Sequence, residues 1–99
     1  MEHHRNPITD ATNILAVVDG QLLERRIDLA WTEDVVHFLA DRFDQDGGWA
    51  NVKWIFGEHI GTAIENLLLA KDAAAGDTIS CTTVSDPDPR IEITVTRGL

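Results

Sequence analysis

The longest amphipathic pattern in the chain runs from Trp49 or Asn51 to Asp72, and it restricts the fold more than any other feature. Apolar residues recur there at the spacing of an α-helix, at Val52, Ile55, Phe56, Ile60, Ala63, Ile64, Leu67 and Leu68. This pattern predicts a long helix with one apolar face. Such a face must be buried against other elements of the chain or against a partner.

Two shorter helices are predicted upstream of it. Thr9 or Asp10 can cap the first, which continues to about Arg25 with an apolar face formed by Ile14, Leu15, Val18, Leu22 and Leu23. Thr32 is the expected N-cap of the second, and Glu33 and Asp34 occupy its first turn, where the helix dipole favours negative charge. Its apolar face comprises Val35, Phe38, Leu39 and Phe43, and the helix is expected to stop near Asp44.

Three segments read as strands: residues 27–31, 78–84 and 90–96. The last two are separated by Ser-Asp-Pro-Asp-Pro, a turn sequence, so they are predicted to form a C-terminal hairpin with one solvated face. The order is therefore α-β-α-α-β-β. We expect an α+β fold in which three helices pack on one face of a small three-stranded sheet.

Length and charge limit the classes of function. With 99 residues the chain is expected to form a single domain, residues 8–99, preceded by a flexible arm, residues 1–7, that ends at Pro7. Its net charge is -9, from 8 basic and 17 acidic residues. Such a surface repels nucleic acids and anionic membranes. It suits either a basic protein partner or a solvated surface without a partner.

Cysteine usage and hydropathy indicate a compartment. Cys81 is the single cysteine, so no internal disulfide can form, and its position in a predicted strand favours a buried, inert thiol. The chain shows neither an apolar run long enough to span a membrane nor the apolar core of a signal peptide. A reducing compartment, the cytoplasm, is therefore expected.

The sequence contains no constellation that predicts catalysis or metal binding. His37 and His59 are far apart in sequence, and no paired His or Cys ligand spacing is present. The acidic loop Asp44-Gln45-Asp46-Gly47 lacks the downstream glutamate of a calcium loop. A phosphate-binding Gly-x-x-x-x-Gly-Lys motif is also missing, so the chain is not expected to be an enzyme or to bind a cofactor.

Several short sequences, in their order, resemble the C-terminal small domain of Clp-type AAA+ ATPases, the ring-forming unfoldases. They are Ile-Thr-Asp at 8–10, Ile-Asp-Leu-Ala-Trp-Thr-Glu at 27–33, His-Phe-Leu-Ala-Asp-Arg at 37–42 and Ala-Gly-Asp-Thr-Ile at 75–79. Residues 48–69 are similar to the long helix of that domain without gaps. The resemblance covers nearly the whole chain and implies a lid domain that packs on a neighbouring ATPase subunit.

The chain departs from this family at the start of the long helix. The family has Gly-Ala-Arg-Pro-Leu there, and its arginine senses the γ-phosphate of ATP; here Gly48-Trp49-Ala50-Asn51-Val52 stands instead. Ala50 occupies the arginine position, and a methyl group cannot stabilise phosphate charge. Lys53 is a weak candidate for replacing that charge, because it lacks the planar fork of arginine and an ordinary exposed helix lysine explains it better.

Four residues are candidates for a contact with another protein. Gly57 and Gly61 lie inside the long helix, where glycine costs about 1 kcal/mol each relative to alanine. They indicate either the close approach of another backbone or simple tolerance on an exposed flank. Trp49 and Trp54 flank the altered Ala50 position, where they could fill the space of the missing arginine or form a hydrophobic contact surface.

Two functions are consistent with these features. The first is a non-catalytic small domain of a Clp-type AAA+ ATPase, or a free-standing adaptor or regulator derived from one, which contacts an ATPase subunit or another copy of itself. The second is a stand-alone acidic interaction protein, such as an inhibitor or antitoxin-like partner, unrelated to ATPases.

Overall fold

The computed structural model describes residues 6–86 and 88–98. Its elements are α1 (Pro7–Leu23), β1 (Asp28–Trp31), α2 (Glu33–Ala40), a 3₁₀ turn (Gln45–Gly47), α3 (Gly48–Phe56), a π turn (Gly57–Gly61), α4 (Thr62–Leu69), β2 (Thr78–Val84) and β3 (Arg90–Thr96). Because α3, the π turn and α4 follow one another without a break, we call them together the long helix. The predicted α+β class, element order and C-terminal hairpin are confirmed.

The described strands form one mixed sheet in the order β1-β2-β3. β1 runs parallel to β2, and β2 runs antiparallel to β3. Side chains alternate between the faces of a strand, and the core-facing positions lie opposite one another in the rows Leu29–Ile79–Val95 and Trp31–Cys81–Ile93. The other face carries mainly polar residues. The helices therefore cover one face of the sheet, as predicted.

The long helix contains a π turn that the sequence pattern does not predict. Its apolar residues include a series spaced by four, namely Val52, Phe56, Ile60, Ile64 and Leu68. An α-helix advances about 100° per residue, so each step of four overshoots a full turn by about 40°. A wider turn offsets this drift, and Thr62 N–H indeed donates to Gly57 C=O, five residues back. The π turn thereby keeps Ile60, which is fully buried, and Ile64 in the core.

The first helix begins earlier than predicted. Asn6 is its N-cap, and the Asn6 side chain accepts hydrogen bonds from the N–H groups of Ile8 and Thr9. Pro7 fits the first helical position because its missing N–H needs no partner there. The predicted cap at Thr9 or Asp10 is thus wrong, and Pro7 does not end an arm. Residues 1–5 of the predicted arm lie outside the described residues.

The ends of the first two helices also differ from the predictions. α1 ends at Leu23, which is 51% exposed and does not belong to the buried apolar face. α2 ends at Ala40 instead of near Asp44, because the N–H groups of Arg42 and Phe43 turn back to carbonyls only three residues earlier. Thr32 occupies the N-cap position, but its side chain makes no capping hydrogen bond; its carbonyl accepts from Val35 N–H.

A buried carboxylate ties the C-terminal segment to the sheet. Asp77 lies just before β2, and its side chain is 7% exposed. Its oxygens accept hydrogen bonds from the backbone N–H groups of Ala74 and Gly98 and from the guanidinium of Arg97, at 2.9, 3.0 and 3.2 Å. These donors, first of all Gly98 N–H, hold the pKa of Asp77 below its ordinary value.

We expect Asp77→Asn to reduce thermal stability at neutral pH and to flatten its dependence on acid. The pKa of Asp77 is lower in the folded chain, so its contribution is complete well above the ordinary value of 3.8 and is lost as the pH falls through the lower folded value. Thermal melts between neutral and acidic pH measure this. If the parent and the variant lose stability in parallel on acidification, Asp77 is not the group responsible.

Candidate functional site

An open groove lies between α1 and the long helix, and we call it the helical groove. Ile14, Val17, Val18 and Gln21 line it from α1. The opposite wall consists of residues of α3, the π turn and the start of α4, among them Trp49, Lys53, Phe56, Gly57, Gly61 and Glu65. It has a volume of about 360 Å³, which lies at the small end of the range for binding sites.

The floor of the groove is apolar and its rim is polar. Ile14, Phe56 and Ile64 form the buried floor and belong to the hydrophobic core. Val17 is 49% exposed although it is apolar, so its side chain is available for contact with a molecule bound in the groove. Gln21, Lys53, Thr62 and Glu65 supply the polar margin. An apolar centre with a polar rim is the usual composition of a protein-binding surface.

The two helix glycines lie in the wall of this groove, at the two ends of the π turn. A Cβ atom at Gly57 would meet no atom within 4 Å, and one at Gly61 would lie 3.5 Å from the ring of Phe56. Gly57 has helical dihedral angles, φ −58° and ψ −43°, and so does Gly61, φ −59° and ψ −46°; neither backbone therefore requires glycine. What the missing side chains do provide is a wider groove.

The positions of Gly57 and Gly61 help to decide whether the glycines allow another backbone to approach closely or are merely tolerated on an exposed flank. Within residues 6–86 and 88–98 no other backbone comes within 4 Å of a Cβ atom built at Gly57, so the space beside Gly57 is open to a partner. Both glycines are half-buried and do not lie on a fully exposed flank. π turns inside α-helices are frequent at functional sites, which makes this segment the leading candidate for a contact.

The structure brings together three of the four predicted contact residues. Trp49, Gly57 and Gly61 all line the helical groove, and the weak phosphate candidate Lys53 lies between them. Trp54 does not line it; its side chain is 61% exposed on another side of α3. Of these tryptophans, Trp49 is the one that packs against the hydrophobic core.

Ala50, which the sequence resemblance aligns with a sensor arginine, lies in the first turn of α3 and is exposed. Lys53 is also exposed, and no hydrogen bond or ion pair is described for it. The methyl group of Ala50 carries no charge, and no neighbouring residue of the described chain holds the Lys53 ammonium group in a position to bind a phosphate. This arrangement supports the interpretation of Lys53 as an ordinary helix lysine on the rim of the groove.

Two of the four residues that form the α1 wall of the groove were missed by sequence reasoning. Val17 and Gln21 fall outside the predicted apolar face of that helix, yet both line the groove. The available signal was the run Ile14, Val17, Val18 and Gln21, whose spacings of three and four residues place them on one side of a helix. Val17 widens the apolar stripe beyond what the core needs, and such a surplus favours a second contact surface.

Packing explains the shifted pKa values of His59 and Cys81. The guanidinium of Arg42 lies 3.4 Å from the centre of the Phe38 ring, and His59 meets that ring edge-on at 5.1 Å, so the cluster joins α2 to the π turn. Burial, together with the charge of Arg42, lowers the pKa of His59. Cys81 is fully buried, and burial raises the pKa of its thiol to about 11, which keeps it protonated and unreactive.

The acidic loop before α3 is a local structural turn. The Asp44 carboxylate accepts a hydrogen bond from Asp46 N–H at 3.0 Å, and the Asn51 side chain accepts from Asp44 N–H at 2.7 Å. Among residues 6–86 and 88–98 no group of three His, Cys, Asp or Glu side chains is placed to hold a metal ion. Through its hydrogen bond with Asp44 N–H, the Asn51 side chain anchors this turn to the start of α3.

Comparisons with known proteins do not assign a function, so any functional proposal depends on the fold and the helical groove. No protein-family model matches the chain, and no curated protein matches it. In the described part of the chain, no helix combines the length and apolar character needed to cross a membrane. Fold and site together define a small α+β domain with an open apolar groove between two helices.

Proposed function

We propose that this chain is a non-catalytic interaction domain that binds a partner protein through the helical groove. The observation that carries this proposal is the pair of glycines that widens the groove where the backbone does not need them. Each glycine costs about 1 kcal/mol of helix propensity. A contact with a partner explains why the chain tolerates that cost at two positions in one turn.

The more specific form of the proposal is a small domain, or an adaptor derived from one, that packs on a Clp-type AAA+ ATPase. The sequence resemblance supports it, and so does the observed order of helices and strands, which agrees with what that resemblance implies. Because Ala50 stands at the sensor position, we assign the domain a packing role without ATP sensing. The domain would act in the cytoplasm, where these ATPases work.

The charge of the chain favours a second candidate, a stand-alone acidic module unrelated to ATPases. With a net charge of -9, the protein would attract a basic partner over a distance of about one Debye length. The same groove would serve as the binding surface, and the inhibitor or antitoxin-like class fits this behaviour. The two candidates differ in the partner and not in the surface.

An ATPase assay separates these candidates. We expect the purified chain to bind a Clp-type ring and to change its ATPase rate. Val17→Lys should abolish both effects, because it places a charge in the apolar groove at a position that is already 49% exposed. Ile8→Lys is the matched control, since Ile8 is also on α1 and 43% exposed but does not line the groove.

The outcomes are distinct. Absence of binding together with an unchanged ATPase rate contradicts the ATPase form of the proposal and leaves the acidic module. Equal activity of Val17→Lys and Ile8→Lys contradicts the groove as the docking surface for either candidate. Titration of the isolated chain with ATP adds an independent check, because measurable affinity would contradict the loss of nucleotide recognition at Ala50.

A further inference from the structure

The outer edge of β3 is a second surface of interest. β3 extends over seven residues, Arg90–Thr96, and in the described sheet it pairs only with β2. No proline interrupts this strand, and β3 contains no bulge in its pairing with β2. A free edge of this length presents a row of backbone N–H and C=O groups that can pair with another strand.

The side chains along this edge are incompletely covered. Ile91, Ile93 and Val95 face the helical layer, yet all three are only half-buried. Beside them a cleft of about 340 Å³ opens between α4 and β3, and both Leu67 and Ile93 line it. An added strand would extend the sheet, and its inward side chains would enter this cleft. The free backbone edge and the uncovered apolar row thus lie at the same place.

We propose that this edge pairs with a second copy of the chain, so that two sheets join through antiparallel β3 strands about a twofold axis at Ile93. In that register Ile93 faces its own copy, and Ile91 faces Val95 of the second copy, which matches apolar with apolar. On the opposite face Glu92 lies against Thr94 of the second copy, and Arg90 against Thr96. No like charges lie directly opposite each other, and such self-complementarity is what a twofold interface requires.

Net charge determines how this dimer responds to salt. Each copy carries -9, so long-range repulsion opposes association. Within the interface the two Glu92 side chains are diagonal neighbours across the twofold axis and add to this repulsion. Added salt screens this repulsion and is expected to tighten the dimer. A basic partner on the same edge would show the opposite behaviour, because salt weakens attraction between unlike charges. The sign of the salt effect therefore distinguishes a second copy from a basic protein.

Sedimentation of the full chain tests the proposal. We expect a monomer–dimer equilibrium of weak affinity, since an interface of one strand pair is small. A chain that stays monomeric at concentrations up to about 1 mM, in low and in high salt, overturns the proposal. A dimer that weakens with salt also overturns the association described here.

A pair of charge variants tests the register. Thr94 is exposed on the polar face of β3, opposite Ser80, so neither substitution enters the core. Thr94→Lys places a positive charge against Glu92 of the second copy at two symmetric positions, and we expect the dimer to tighten roughly fivefold. Thr94→Glu should weaken it by a similar factor. The comparison is made in high salt, which screens the difference in net charge between the variants. Equal dissociation constants under that condition would overturn the pairing about Ile93.

The dimer interface and the helical groove can be tested separately. The groove-lining residues belong to α1, α3, the π turn and the first turn of α4, whereas the β3 cleft involves the opposite side of α4. Val17→Lys is therefore expected to leave the sedimentation of the chain unchanged. Loss of dimerisation in that variant would contradict the assignment of the contact to β3.

Discussion

Gly57→Leu is expected to abolish binding of a partner in the helical groove while leaving the fold at least as stable. A side chain at this position starts in open space, since a Cβ atom meets nothing within 4 Å. Leucine also favours the helix by about 0.8–1 kcal/mol relative to glycine. The leucine side chain, however, would occupy the groove that a partner needs. Stability and binding should therefore change in opposite directions.

Gly20→Leu is the matched control for this variant. Gly20 lies inside α1, a Cβ atom there also meets nothing within 4 Å, and the residue does not line the groove. We expect the same gain in the free energy of unfolding without loss of binding to the Clp-type ring. The measurements are urea unfolding and the ATPase-ring assay for both variants. Full binding by Gly57→Leu would show that the glycines are tolerated without a partner contact.

Ile60→Ala is expected to lower the free energy of unfolding by about 2–5 kcal/mol. Ile60 lies in the π turn, is fully buried and belongs to the hydrophobic core. Removing its side chain loses apolar burial and leaves a cavity where the long helix meets the sheet. Since a domain of this size is stabilised by only about 5–15 kcal/mol, the loss is a large fraction of the total.

Leu69→Ala is the control for the core substitution. Leu69 lies in the last turn of the long helix and is 82% exposed, so its truncation should change stability by no more than about 0.5 kcal/mol. Urea unfolding of both variants gives the comparison. A cost below about 1 kcal/mol for Ile60→Ala would place that side chain outside the core, as in a helix without the π turn.

Much of the fold followed from local patterns. The alternation in residues 90–96 and the Ser-Asp-Pro-Asp-Pro turn before them predicted the hairpin, because a strand with one covered face must alternate. The long apolar pattern predicted a helix from Trp49 or Asn51 to Asp72 in the same way, and the observed long helix begins at Gly48 and ends three residues earlier, at Leu69. Helix ends were less predictable. Neighbouring residues could form other hydrogen bonds of similar energy, so the local sequence does not decide that α1 begins after Asn6 and that α2 ends at Ala40.

The candidate site was only partly predictable. Composition singled out Gly57, Gly61 and Trp49, because glycines inside a helix and a clustered tryptophan need an explanation. Their shared location could not be derived, because it depends on how α1 packs beside the long helix. Val17 became relevant only through that packing, and Trp54 was separated from the other three residues by the rotation of α3 about its axis.

By itself, then, the amino-acid sequence determined the element types, their order and the acidic surface, since these depend on periodicity, turn chemistry and residue counts within short segments. Tertiary structure alone decided the π turn, the helical groove and the Asp77 contacts with Gly98 and Arg97. Each of these arises where residues distant in sequence compete for the same space or the same hydrogen bonds. That competition is resolved only when the helices pack on the sheet.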